Sequence, residues 1–222
     1  MKNESAKAFI FDMDGVIIDS EPVWERYEQV FLAELMGQET YLKIKDQILG
    51  NSINAIYQIA SQHGLKTSKQ EYLRIYDDYA KKVYSEAKLT PGIREFIEKL
   101  LGLDFKLGLV SSSRQNWIDL VLEKLKVSNQ FEFVISLNDA ENMQPKPSPI
   151  GYLKAMETLG TEPSSTIILE DSSKGVQAAK ASGALTICLK ENLPKDYQPV
   201  DADLYVESIK DLNKKAEELL RL

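Results

Sequence analysis

The chain has 222 residues, of which 43% are hydrophobic and 27% are charged. These fractions are close to globular averages, so they argue against a collagen-like repeat, a disulfide scaffold or wholesale disorder. Twenty-seven Lys and Arg against 34 Asp and Glu give a formal net charge of −7, the wrong sign for a protein that mainly binds nucleic acid or an anionic membrane. We expect one large domain, or a medium domain with an insert, and no nucleic-acid or membrane partner.

The chain contains one cysteine, Cys188, and one histidine, His63. A lone cysteine forms no internal disulfide and no Cys-x-x-Cys zinc site, and a single histidine excludes mechanisms that need two. The polar N-terminus runs directly into a short apolar segment, and no stretch approaches the roughly 20 apolar residues that span a bilayer. We therefore expect a cytoplasmic location, with a monomer as the default state.

The first predicted strand is the apolar run Ala8–Phe11, which ends in an acidic turn. From about residue 21 to residue 87 the apolar residues recur only with helical spacing. A block of this length is too long for a crossover between neighbouring strands. It predicts a separate, all-helical cap domain over residues 19–87, inserted into a core domain of residues 1–18 and 88–222.

Beyond this block, strands and helices alternate. Helical patterns begin near Ile93, Ile118 and Ile150. Five further apolar runs are continuous rather than alternating, which is typical of strands buried on both faces. These runs are Leu107–Val110, Phe133–Ile135, Thr166–Leu169, Leu185–Leu189 and Leu204–Val206. The pattern predicts an α/β fold with a doubly wound parallel sheet, which binds ligands beyond the carboxyl ends of its strands.

Acidic residues follow two of these strands: Asp12 and Asp14 after the first, and Glu170 and Asp171 after Thr166–Leu169. Converging carboxylates are costly unless a cation neutralises them, and their oxygens suit Mg²⁺, which often also binds a substrate phosphate. These residues therefore indicate a magnesium site and phosphoryl chemistry. The structural alternative is that Asp12 and Asp14 form a solvated turn and that Glu170 and Asp171 cap the following helix.

Two other polar segments supply groups that bind phosphate oxygens. The run Ser111-Ser112-Ser113 offers hydroxyl and backbone N–H donors, and Lys146 offers an ammonium group. The prolines on either side of Lys146 restrict it to an extended conformation. The alternative is an ordinary serine-rich turn and a solvated loop lysine.

Together, four of these turns resemble, in order and spacing, the four motifs of the haloacid dehalogenase superfamily. They are Phe11–Val16, Val110–Arg114, Lys146–Pro149 and Leu169–Gly175. The resemblance covers nearly the whole chain. It is greatest to the branch that contains sugar-phosphate phosphatases and β-phosphoglucomutase, in which a helical cap is inserted after the first motif.

By this resemblance Asp12 would be the nucleophile that becomes an aspartyl phosphate. Asp14 would be the general acid to the leaving oxygen and then the base that activates water. Ser111, Ser112 and Lys146 would bind the phosphoryl group. Dehalogenases of the superfamily lack an aspartate at position 14, because displacing a halide needs no acid on a leaving oxygen. Asp14 therefore favours phosphate over halide chemistry.

The resemblance also implies Mg²⁺ as the cofactor. Its ligands would be the Asp12 carboxylate, the Asp14 backbone carbonyl and Asp171, with Glu170 acting directly or through another ligand. Members of the family often have a cis peptide at the position of Lys146–Pro147, so we expect one here.

Two cap positions separate a phosphatase from a mutase. Related mutases place a histidine where Trp24 aligns, and an arginine where this chain has Ile53. Without that guanidinium a bisphosphate intermediate loses a bidentate anchor, unless Arg74, Lys81 or Lys82 compensates. We predict a Mg²⁺-dependent phosphatase that acts on a small phosphomonoester, namely a sugar phosphate. The side chains of the cap would determine which sugar phosphate is bound. The alternatives are a β-phosphoglucomutase-type mutase and a non-catalytic binding protein on the same fold.

Overall fold

A computed structural model describes residues 6–48, 52–194 and 196–219, except for the side chains of residues 128 and 215–219. The chain divides into two compact units, Met1–Asp19 with Lys88–Leu222, and Ser20–Ala87. Among the described residues, no helix combines the length and the apolar character needed to cross a membrane.

The strands form a central parallel sheet and a separate short pair. In chain order they are β1 (Lys7–Phe11), β2 (Ile18–Asp19), β3 (Lys88–Leu89), β4 (Phe105–Ser111), β5 (Phe131–Ser136), β6 (Thr166–Glu170), β7 (Leu185–Leu189) and β8 (Leu204–Val206). The central sheet has the order β5-β4-β1-β6-β7-β8, and all its neighbouring strands are parallel. Its strands coincide with the six apolar runs of the sequence, so the predicted α/β fold with a parallel sheet is confirmed.

Helices account for most of the remaining structure. In chain order they are α1 (Glu21–Met36), α2 (Gln38–Ile48), α3 (Ile53–Gln62), α4 (Lys69–Glu86), α5 (Ile93–Gly102), α6 (Gln115–Leu125), α7 (Ile150–Leu159), α8 (Ser173–Ala181) and α9 (Ile209–Leu219). The first four belong to the Ser20–Ala87 unit. The other five belong to the unit that contains the sheet.

Apolar side chains cover both faces of β1. Ala8 and Ile10 belong to one buried cluster with residues of α7 and α8. Phe9 and Phe11 contact Phe96 of α5, with ring centroids 5.3 and 6.3 Å away. Because alternate residues of a strand point to opposite faces, β1 is buried on both sides. This explains why its sequence is continuously hydrophobic.

The strand order places three strand ends at one crevice. From β1 the chain passes to β4 and β5 on one side, and then crosses to β6, β7 and β8 on the other. In open α/β sheets ligands bind at such a reversal, beyond the carboxyl ends of the strands. The carboxyl ends of β1, β4 and β6 therefore lie beside one another at the position where a ligand site is expected.

Aromatic residues form the core of the helical unit. Trp24 and Phe31 of α1 lie against Tyr76 of α4, with ring centroids 5.7 and 4.8 Å apart. The helical spacing of apolar residues is clear over α1, α3 and α4 but not over α2. Only three of the 11 residues of α2 are buried, so its apolar positions are too few to give a clear periodic signal.

The short pair β2 and β3 lies where the chain leaves the sheet unit and returns to it. The two strands are antiparallel, and Thr90 N donates to the Ile17 carbonyl oxygen at 2.9 Å. Asn192 Nδ2 donates to the Gly15 carbonyl oxygen at 3.0 Å and to Thr90 Oγ1 at 2.9 Å. The sequence gives no sign of this pair, because two residues are too few to show a strand period.

Candidate active site

Strand ends bring together most of the residues that the motifs single out. Asp12 follows β1, Ser111 ends β4, Glu170 ends β6 and Asp171 follows it. These four residues are at most 8% exposed, and Lys146, in the loop before α7, is 9% exposed. The alternatives of a solvated turn at Asp12 and a solvated loop lysine are therefore wrong.

Lys146 binds two carboxylates at once. Its Nζ lies 2.5 Å from Asp12 Oδ1 and 2.6 Å from Glu170 Oε1, and it donates to the Val110 carbonyl oxygen at 3.2 Å. Burial disfavours the ammonium form, but the two carboxylates outweigh burial and hold the pKa of Lys146 well above its ordinary value. Lys146 is therefore a fixed positive charge beside Asp12.

The backbone of Asp12 is fixed by the sheet, and its side chain lies in a poorly solvated position. Asp12 N donates to the Leu169 carbonyl oxygen at 3.0 Å, which extends the ladder between β1 and β6. Burial raises the pKa of the Asp12 carboxyl to about 7, Lys146 opposes this shift, and the like charge of Glu170 adds to it. A further cation at this point would favour the ionised carboxylate.

Protein donors engage both oxygens of the Glu170 side chain. Oε1 accepts from Lys146 and, at 2.5 Å, from the buried hydroxyl of Tyr152. Oε2 accepts from the backbone N–H groups of Asp171 and Ser172 and from the Ser172 hydroxyl, at 3.1 to 3.4 Å. A carboxylate oxygen has about two lone-pair sites, so these bonds use the accepting capacity of Glu170. The side chain thereby orients both Lys146 and the start of the Asp171 loop.

Two glycines leave the space that the carboxylates occupy. A Cβ on Gly15, whose φ is +79°, would lie 1.7 Å from Asp171 Oδ2, and a Cβ on Gly175 would lie 2.0 Å from the Glu170 carboxylate.

The N-cap of α8 is Ser172, whose Oγ accepts from Gly175 N at 3.0 Å. The alternative that Glu170 and Asp171 serve as the helix cap is therefore wrong.

Asp14 lies in the turn after β1 and is half-buried. Ser113 Oγ donates to Asp14 Oδ2 at 2.6 Å, and Ser113 N donates to Ser111 Oγ at 3.0 Å. Ser112 is exposed, and its role in phosphate binding stays a prediction. The Lys146–Pro147 peptide is cis, as expected.

Nothing in the sequence identifies Ser113 or Tyr152 individually as a member of this site. Ser113 belongs to a serine run that was singled out, but spacing does not tell which of three consecutive hydroxyls faces Asp14. Tyr152 gives no signal of its own, because one tyrosine near the start of an amphipathic helix is ordinary core composition.

The acidic cluster at the strand ends has the charge that suits a hard divalent cation. One carboxylate oxygen from each of Asp12, Glu170 and Asp171 lies within 4.8 Å of the others. With Lys146 as the cation bound to two of them, the group has a formal charge of −2. Carboxylate oxygens and an excess of negative charge are what Mg²⁺ sites provide.

Comparison with known proteins supports the family that the motifs indicate. Residues 9–189 match the family of haloacid dehalogenase-like hydrolases. The phosphorylated carbohydrates phosphatase of Thermotoga maritima is 32% identical over 180 residues, which are 80% of this chain and 82% of that protein. Hexitol phosphatase B of Escherichia coli K12 is 31% identical over 213 residues, which are 94% of this chain and 95% of that protein.

A solved structure supports membership of the same family. The β-phosphoglucomutase of Clostridium difficile superposes with a TM-score of 0.71 at 27% identity, over 98% of this chain and 100% of that chain. The family match covers most of the chain, and the two relatives above are over 30% identical to it across the aligned residues. The chain therefore belongs to the haloacid dehalogenase-like hydrolases, in the branch that contains sugar-phosphate phosphatases and β-phosphoglucomutase, and is an enzyme of the phosphoric monoester hydrolase class.

Proposed function

We propose that this enzyme hydrolyses a small phosphomonoester, a phosphorylated carbohydrate, by transferring the phosphoryl group first to Asp12 and then to water. The observation that carries the proposal is the buried Asp12 carboxylate, whose Oδ1 lies 2.5 Å from Lys146 Nζ at the crevice end of β1. A carboxylate held beside a fixed cation is suited to attack an anionic phosphoryl group, because the cation offsets the repulsion between the two.

In the first step an Asp12 oxygen forms a bond to phosphorus, and the ester bond from phosphorus to the leaving oxygen breaks. Asp14 gives its proton to that oxygen, so that an alcohol leaves instead of an alkoxide. Ser111 and Lys146 bind the phosphoryl oxygens during the transfer. Most of the catalytic effect comes from this positioning and from neutralisation of charge, as is general in phosphoryl transfer.

In the second step a water oxygen forms a bond to the same phosphorus, and the bond from phosphorus to Asp12 breaks. Asp14, now a carboxylate, takes the proton from the attacking water. The products are inorganic phosphate and the Asp12 carboxylate, and Asp14 is again protonated. One residue therefore acts as acid in the first step and as base in the second.

Mg²⁺ bound by Asp12, Asp171 and the Asp14 backbone carbonyl would neutralise charge on the phosphoryl group. Glu170 has another part in this proposal. Because both its oxygens already accept hydrogen bonds, it fixes Lys146 and the Asp171 loop and does not bind the ion directly. In this proposal Glu170 therefore takes the second of the two roles that the resemblance leaves open for it.

Three observations favour hydrolysis over a mutase reaction. Trp24 is a core residue of the helical unit, where its ring contacts Tyr76 and Tyr84, and an indole N–H does not shuttle protons. Ile53, the first residue of α3, carries no charge. Arg74 is paired along its own helix with Glu71 at 2.7 Å and with Asp78 at 2.9 Å.

The substrate class rests on the relatives. The proteins from Thermotoga maritima and Escherichia coli are named as phosphatases of phosphorylated carbohydrates and of hexitols, and we infer a substrate of the same kind for this chain. We assign the Ser20–Ala87 unit the role of a cap that selects among such phosphates, as the resemblance implies.

The test is a Mg²⁺-dependent screen of hexose, pentose and hexitol phosphates, including β-glucose 1-phosphate with a trace of the bisphosphate. Free phosphate and isomerised sugar phosphate are assayed separately. Asp12→Asn is compared with Asp119→Asn, which changes an exposed aspartate of α6.

We expect free phosphate equal to the substrate consumed, from the natural chain and from Asp119→Asn, and none from Asp12→Asn. Interconversion of the 1- and 6-phosphates with little free phosphate would establish a mutase instead. Ligand affinity that is the same in the natural chain and in Asp12→Asn, without turnover in either, would establish a binding protein.

A further inference from the structure

The hydroxyl of Ser113 and the carboxylate of Asp14 form a contact between residues that are 99 positions apart in the sequence. Ser113 Oγ lies 2.6 Å from Asp14 Oδ2. This separation falls in the short range of about 2.5–2.7 Å that O–H···O⁻ hydrogen bonds show. Asp14 lies in the turn after β1 and Ser113 in the turn after β4, so the bond joins two neighbouring strand ends.

Ser113 is itself held in place from two sides. Its backbone N–H donates to Ser111 Oγ at 3.0 Å. Its carbonyl oxygen accepts from Ser136 Oγ at 2.7 Å, and the Ser136 hydroxyl in turn accepts from Asp139 N at 3.1 Å. The turns after β4 and β5 therefore fix the backbone of Ser113, and its side chain needs only one rotamer to reach Asp14.

We propose that Ser113 is a positioning residue for Asp14: it aims the Asp14 carboxyl at the leaving oxygen and at the attacking water. The inference rests on the proposed function, in which Asp14 holds a proton in one step and releases it in the other. The Ser113 hydroxyl can donate to Oδ2 in both states, because a carboxylic acid keeps accepting capacity on its second oxygen. The proton that Asp14 transfers is then carried on its other oxygen.

This role differs from that of the neighbouring serine. Ser111 is predicted to bind the phosphoryl group, so its loss would slow every phosphate ester alike. Ser113 acts through Asp14, so its loss slows those esters most whose leaving oxygen needs a proton. The dependence of the rate on the leaving group therefore separates a positioning role from phosphate binding or from general structural support.

Phenyl phosphate and p-nitrophenyl phosphate are suitable probes, because they have nearly the same shape but differ in the basicity of the leaving oxygen. Release of the phenol in a single turnover reports the first step alone. Ser113→Ala is compared with the natural chain and with Ser164→Ala. Ser164 is exposed and precedes β6, at the opposite end of the strand from the site.

We expect Ser113→Ala to slow phenol release from phenyl phosphate about tenfold to a hundredfold, as is usual for a misplaced acid. Release of p-nitrophenol should change by no more than about twofold, because this leaving oxygen needs little help from an acid. Ser113→Thr, which keeps the hydroxyl, should restore most of the rate, and Ser164→Ala should match the natural chain with both esters.

Equal slowing of the two esters by Ser113→Ala, or no slowing of either, would overturn the inference. Ser113→Cys is a second test, because it nearly keeps the side-chain volume but replaces the hydroxyl by a weak S–H donor. It should slow the release of phenol from phenyl phosphate selectively. Equal slowing of both esters would contradict the positioning role. Failure of the proposed function has a different signature, since Asp12→Asn would then release phenol at the natural rate.

Discussion

Replacing Tyr152 by phenylalanine deletes one hydroxyl from the most enclosed part of the active site. Tyr152 is 1% exposed and Glu170 is fully buried, and their side-chain oxygens lie 2.5 Å apart. The ring stays in its apolar cluster, so the substitution removes one hydrogen bond and almost no apolar contact. Hydrogen bonds to charged groups contribute about 1.5–3 kcal/mol. Glu170 keeps Lys146 as a second donor on the same oxygen, so we expect a loss of about 2 kcal/mol in the free energy of unfolding.

Urea unfolding in a metal-free buffer measures this loss. With a slope of about 2 kcal/mol per molar urea, the unfolding midpoint should fall by about 1 M. The matched control is Tyr205→Phe, which removes a half-buried hydroxyl that accepts from Ala202 N at 3.2 Å. That bond involves no charged group and should contribute about 0.5–1 kcal/mol. Equal losses in the two variants would refute the argument that Glu170 is a buried charge supported by Tyr152.

Three further perturbations test other parts of the structure. Gly15→Ala should abolish turnover, because the added Cβ would collide with Asp171. The control is Gly160→Ala, which is also at positive φ but has open space around it. It should lower the free energy of unfolding by about 1–2 kcal/mol and leave phosphate release intact. Burial raises the pKa of Glu28 from 4.5 to about 7. The contribution of Glu28 to the free energy of unfolding is therefore full below pH 4.5 and is lost as the pH rises to about 7. Glu28→Gln, which keeps an acceptor for Tyr76, should therefore be about 2 kcal/mol more stable than the natural chain at pH 8 and equal to it at pH 4, by urea unfolding. A chelator should stop phosphate release, and added Mg²⁺ should restore it. Ca²⁺ should bind without supporting turnover, because its looser coordination misplaces the phosphoryl group. Equal rates with and without chelator would contradict the metal proposal.

The sequence predicts the sheet well because its strands are buried on both faces. Leu185–Leu189 and Leu204–Val206 have the same bounds in the sequence pattern and in the structure, and the other runs differ by a few residues at their ends. The parallel order also explains why motifs far apart in sequence meet, since the carboxyl ends of parallel strands share one edge. The strand ends were therefore enough to place Asp12 near Glu170, and the family resemblance added Lys146.

The parts that the sequence does not predict depend on long-range geometry. Nothing in the spacing of Ser111, Ser112 and Ser113 says that the third hydroxyl faces Asp14, because this depends on how the turns after β4 and β5 are held. Tyr152 looks like an ordinary helix core residue until its hydroxyl is seen on Glu170. The burial of Lys146 likewise depends on the two carboxylates that contact it, and these lie at the ends of β1 and β6, far from Lys146 in the sequence.

The central claim is that Asp12 carries the phosphoryl group during turnover, and it can be tested directly. The enzyme is mixed with a radiolabelled phosphomonoester and Mg²⁺, quenched in acid within a turnover, digested, and mapped for the labelled peptide. We expect the label on the peptide that contains Asp12 and none in Asp12→Asn, with Asp119→Asn labelled like the natural chain. Label on another peptide, or phosphate release by Asp12→Asn at the natural rate, would contradict the account.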